Sequence, residues 1–172
     1  MSPILLLLLR LVHVVGGALW VGMAVYTAVF LVPSIEEAGP DGGKVMAALQ
    51  RRGILTVLPA LAVATLLSGV WLYWRAAGGQ PGAFGRSGPG LAFGVGGVAS
   101  LAAYAIGILV LRPSMMRAGS LMAGIGPALP EAERAARLGE ARRLRARGAS
   151  AGRLVAGLLL LAVGAMAVAR YL

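Results

Sequence analysis

Apolar residues dominate four stretches of the chain and polar residues collect between them. The stretches run from Ile4 to Val32, Ile54 to Trp74, Leu91 to Leu111 and Leu154 to Ala169. Each approaches or exceeds the roughly 20 apolar residues that carry a helix across a bilayer. Spanning β-strands would instead alternate over about ten residues, and no such alternation occurs. The expected fold is all-α, an integral membrane four-helix bundle. "MSPILLLLLR" lacks a basic leader, and the apolar run continues past Arg10, so the first helix is expected to stay attached.

The polar stretches set an orientation. Lys44, Arg51 and Arg52 flank the first one. The third, residues 112–153, holds Arg112, Arg117, Arg134, Arg137, Arg142, Arg143, Arg145, Arg147 and Arg153. Only Arg75, Arg86 and Arg170, with Arg10 nearby, mark the other side. The positive-inside rule makes loops one and three cytoplasmic and places both termini outside, in a membrane of the bacterial inner type. It also accounts for the net charge of +10 with no need of nucleic acid. Trp71, Tyr73, Trp74 and Arg75 form an outer interfacial anchor, as do Arg170 and Tyr171.

The two halves resemble each other. "LVPSIEEAG" at Leu31–Gly39 returns as "LRPSMMRAG" at Leu111–Gly119, an offset of 80, and nine of the thirty positions from Arg10 to Gly39 match at that offset. Helices two and four align at an offset of 95, which sets Arg52 and Gly53 on Arg147 and Gly148, Gly69 on Gly164, and Arg75 on Arg170. Two hairpins are expected, residues 1–75 and 76–172. Each is a helix, a cytoplasmic turn and a returning helix, entering the membrane in the same direction as a parallel repeat. Pro33 and Pro113 fall where each odd helix leaves the bilayer.

Within the third loop, "SMMRAGSLMAGIG" reads as flexible. "PEAERAARLGEARRLRARG" reads as a helix with Pro130 first and Glu131 and Glu133 near its start. That helix is expected to lie along anionic lipid headgroups, with a docking surface for an acidic partner and a solvated positive-inside loop as the other readings. "DGGKVMAALQRR" is expected to extend helix two.

The chain's single histidine, His13, lies inside helix one and shares a face with Gly16, Gly17 and Trp20, with Arg10 one turn outward. Small residues beside an imidazole leave room for a flat ring. Haem b or another tetrapyrrole ligated by His13, with Arg10 meeting an acidic substituent, is one reading, and His13 is also the candidate metal ligand. In the other reading Gly16 and Gly17 admit a neighbouring helix, and His13 hydrogen-bonds a carbonyl or a threonine across the contact. His13 aligns with Phe93, so the repeat supplies no second imidazole. In helix three, Gly90 and Gly94, then Ala103 and Gly107, stand four residues apart as a packing face for another helix, in this chain, a partner or a second copy.

All six acidic residues fall outside the spans, cysteine is absent, and no helix carries a histidine pair or a catalytic triad. No enzymatic activity is expected. His13-x6-Trp20-x-Gly22, the proline exit at Pro33 and "GVWLYW" at the end of helix two resemble bacterial membrane proteins of the CopD (copper resistance D) type and their four-helix relatives. That resemblance implies copper handling, or haem contact in related proteins. The chain departs from it in having one histidine, no cysteine and no clustered methionines. The leading expectation is an accessory or assembly subunit that packs against other transmembrane helices. Haem binding through His13 and copper handling are the alternatives.

Overall fold

A computed structural model describes residues 2–126 and 128–172. The described residues are helical almost throughout and contain no strand. Four helices are long and apolar enough to cross a bilayer, marking an integral membrane protein by length and hydropathy. α1 spans Pro3–Glu37, α2 Pro40–Arg51, α3 Ile54–Ala76, α4 Pro81–Phe84 and α5 Gly88–Ala123. α6 runs Glu131–Val168 and ends in a 3-10 turn at Ala169–Tyr171.

The chain supplies its own starts and stops. Ser2 caps α1 by accepting from the Leu5 amide, and Ser87 caps α5 by accepting from the Gly90 amide. Gly39 and Gly53 sit at φ of 59° and 80°, a conformation glycine adopts without strain, and they bound α2 on both sides. "DGGKVMAALQRR" is therefore a helix of its own and not an extension of α3. The break at Gly53 turns the chain before the apolar run resumes.

α1 packs along α3, and α5 along α6, with α3 touching α5 and α6 touching α1 to close an up-down-up-down ring. Trp20, Ala62, Ala103, Val155 and Leu159, drawn from all four long helices, form the buried centre. The outward faces stay apolar, as at Leu7, Val70, Val98 and Leu109.

Two π turns interrupt the long helices, at Thr27–Leu31 in α1 and Gly107–Leu111 in α5. In each, an amide reaches five residues back, Val32 to the Thr27 carbonyl and Arg112 to the Gly107 carbonyl. The prolines explain them. Pro33 and Pro113 lack a donor, and their rings would strike the carbonyl four residues back, so the widened turn gives the ring room. The π turns lie 80 residues apart, the same offset as the sequence matches.

The arginine-rich segment departs from the sequence expectation. Residues 112–123 continue α5 as helix, where composition reads as flexible. Residues 131–153 do not form a separate surface helix, because α6 passes through them unbroken for 38 residues, about 57 Å. The hydrocarbon core needs only about 30 Å, so α5 and α6 project together beyond it. Buried Ser114, Ala118, Ala141 and Gly148 let the two backbones close, with Met115 lying over Gly148. Arg117 pairs with Glu140 at 2.7 Å across the arm. The connection between them shrinks to residues 124–130, where Arg137 and Arg134 donate to the Gly124 and Gly126 carbonyls.

Candidate functional site

His13 is half-buried on α1 and faces α3. Its Nδ1 lies 2.9 Å from the Thr65 carbonyl oxygen. A carbonyl only accepts, so Nδ1 is the donor, and in the neutral ring Nε2 keeps the lone pair. The imidazole reaches that carbonyl because residue 69 has no side chain. A Cβ on Gly69 would stand 2.7 Å from His13 Cε1.

One helical turn further along α1, a Cβ on Gly16 would meet Thr65 Oγ1 at 2.7 Å, and one on Gly17 would stand 3.5 Å from Thr65 Cγ2. Thr65 donates its hydroxyl to the Leu61 carbonyl at 2.9 Å. Ser68 donates to the carbonyls of Ala64 and Thr65 at 2.7 and 3.0 Å. The Thr65 carbonyl thus accepts from both His13 and Ser68. The space that Gly16 and Gly17 leave is taken by Thr65 and Leu61, so these two glycines serve the contact between α1 and α3. Arg10 is exposed.

Trp20 departs from this group. It is buried at the bundle centre, seven residues or about 10 Å along the axis from His13. Below it opens a cavity of about 170 Å3, bounded by all four long helices. Thr27, Ala28 and Leu31 of the first π turn line it, as do Gly107, Ile108 and Leu111 of the second. Pro59 of α3 faces it as well. The few polar groups on its wall are Thr27, Gln50, Tyr104 and Arg112. His13 is not among its lining residues.

The packing residues read from sequence are divided by the structure. Ala103 is buried in the core, and Gly90 sits against the Phe84 carbonyl of its own approach turn. A Cβ on Gly94 or Gly107 would meet nothing within 4 Å. The close approach in the second hairpin is made by Gly96, where a Cβ would lie 2.9 Å from Met166 Cε and 3.0 Å from the Ala162 carbonyl. Sequence reasoning missed the cavity and Gly96. Gly96 matches Gly16 at the 80-residue offset, and that match was the available signal. The structure also brings Met46 and Met115, from separate helices, to one cavity wall. Among the described residues no three histidine, cysteine, aspartate or glutamate side chains gather as a metal site.

His13→Ala should destabilise the bundle only modestly. Thr65 keeps the Ser68 hydrogen bond, so no buried acceptor is orphaned. One interhelical hydrogen bond in a membrane protein is worth about 0.6–1.7 kcal/mol. An unfolding titration in mixed micelles against the wild type measures it, and a loss far above that range would mean His13 holds more than the Thr65 contact.

Comparison with family models, curated proteins and solved structures gives no match to this chain.

Proposed function

We propose that the protein is a non-catalytic subunit of a bacterial inner-membrane complex, with its arginine-rich end in the cytoplasm and both termini outside. It is built from two hairpins of common origin, a reading supported by the π turns and the Gly16 and Gly96 contacts recurring at one offset. The observation that carries the function is the α5–α6 arm. A positive-inside loop needs charge but not order. Here the charge is mounted on a stiff helical pair closed by Ala118, Ala141 and Gly148. Arg142, Arg143, Arg145 and Arg147 are exposed on it, and among the described residues none of them forms an ion pair. Fixed, unpaired guanidinium groups suit an acidic protein surface.

Replacing Arg142, Arg143 and Arg145 together by Glu tests this on a native gel of membranes solubilised in mild detergent. The wild-type chain should migrate within a larger complex, and the charge-reversed chain as a smaller species with its unfolding midpoint unchanged. A wild type that runs alone, or a variant that keeps the full complex, overturns the reading.

One observation favours a second reading. The Nδ1–carbonyl bond holds the His13 ring as ligating histidines are held, with Nε2 left for a metal or haem iron. Visible absorption of the oxidised and dithionite-reduced protein decides it. A Soret band that is lost in His13→Ala supports ligation, and a colourless preparation with no bound metal counts against it.

A further inference from the structure

Three separate distortions of helical geometry converge on the cavity below Trp20. These are the π turn of α1, the π turn of α5 and the proline inside α3. π turns inside α-helices frequently mark functional sites. On α6 the facing wall is Gly148, Ala149, Gly152 and Val155, thinnest at Gly152, with Met115 lying over Gly148. Four helices thus give up side-chain bulk or regular hydrogen bonding at one level of the bundle.

The cavity is closed at one end and reaches the surface at the other. Trp20, Ala62 and Ala103 seal the inner end and are buried. Leu31, Val32 and Leu111, toward the arginine-rich end, are half-exposed. From Trp20 to Val32 along α1, or from Ala103 to Met115 along α5, the lining covers about 18 Å of axis. It is therefore a long, narrow slot and not a compact void. A polar solute finds almost no partner along this wall. An empty apolar slot loses the dispersion contacts of its lining.

At the open end stands Arg112, exposed and, among the described residues, without an acidic partner. Gln50 lies on the same rim. A slender apolar slot ending at a free guanidinium, at the point where the chain leaves its apolar stretch, matches an amphiphile with one chain inside and an anionic head outside. We propose that the cavity is a lipid site that takes one acyl chain of an anionic phospholipid from the adjoining leaflet, with its phosphate on Arg112. This stands apart from the arm and from His13, and either of those readings can fail without it.

Trp20 at the sealed end provides the probe. Trp71 and Trp74, the other two tryptophans, are replaced by Phe so that Trp20 is the only indole in the chain. The full-length protein is reconstituted in phosphatidylcholine vesicles with a minor fraction of either phosphatidylglycerol or phosphatidylcholine carrying brominated acyl chains. Brominated phosphatidylglycerol should quench Trp20 with an apparent affinity about fivefold above that of brominated phosphatidylcholine. Arg112→Gln should equalise the two lipids while leaving quenching in place. Gly107→Leu, which points a side chain into open space on the cavity wall, should abolish quenching by both. Absence of Trp20 quenching overturns the proposal. So does quenching that persists in Gly107→Leu, or a headgroup preference that survives Arg112→Gln.

Discussion

Gly96→Leu will disrupt the second hairpin, and Gly94→Leu, two residues away, will leave it intact. A Cβ at residue 96 already stands 2.9 Å from two atoms of Met166 and 3.0 Å from the Ala162 carbonyl oxygen. The methionine can swing aside, but the carbonyl belongs to the α6 backbone and moves only if the helix moves. Overpacking of this kind costs about 1–3 kcal/mol in soluble cores. Here the added leucine gains nothing in return, since lipid tails are as apolar as a leucine side chain. A loss of about 3 kcal/mol is expected, read as a lower midpoint in an unfolding titration in mixed micelles. A Cβ on Gly94 would meet nothing within 4 Å, so leucine there should change stability by about 0.5 kcal/mol or less. Equal effects at the two sites would mean that the α5–α6 contact is not where the structure places it. The neutral variant is useful in its own right. If Gly94→Leu leaves the isolated chain stable yet shrinks the complex on a native gel, the groove that Gly94 lines with Leu158 and Leu161 is where another membrane helix sits.

The same pair of glycines shows what could be read from the sequence. Hydropathy located all four spans, because it reports which residues avoid water. The four-residue spacing marks a small-residue face on α5, and of its members Ala103 is in the core. The phase of the face was not legible. Residues 94 and 96 lie about 200° apart around a helix, so a choice of Gly94 points away from the contact that Gly96 makes. Hydropathy also says nothing about continuity. Residues 131–153 hold seven Ala, seven Arg and three Glu, all strong helix formers, and no proline separates them from the apolar run. The helix therefore continues where the change of polarity suggests a boundary. For the site, the sequence allows a carbonyl partner for His13, but which carbonyl depends on Gly69, far away in sequence. The cavity was beyond reach. It arises from two π turns, a proline and two glycines on four different helices, none of which signals an opening alone.

Trp20→Ala should be the most damaging truncation of a single side chain. Trp20 is the largest residue in the buried centre and touches a cluster otherwise made of Ala62, Ala103, Val155 and Leu159. Opposite alanines cannot grow to fill the space, so the helices must either leave a void or shift inward. In a soluble core, losing a buried tryptophan costs about 3–5 kcal/mol, part of which is transfer of apolar surface from water. In a bilayer that part falls away, because the separated helices still face lipid. The lost dispersion contacts remain, and about 2–3 kcal/mol is expected. Trp71 and Trp74 are 51% and 59% exposed, and their alanine variants should change stability by about 0.5 kcal/mol or less. Trp20→Phe should recover most of the loss, since it restores a ring between the alanines. Unfolding midpoints for the four variants test the ordering. If Trp20→Ala proves as mild as Trp71→Ala, the four helices do not meet at residue 20, and the cavity has no floor.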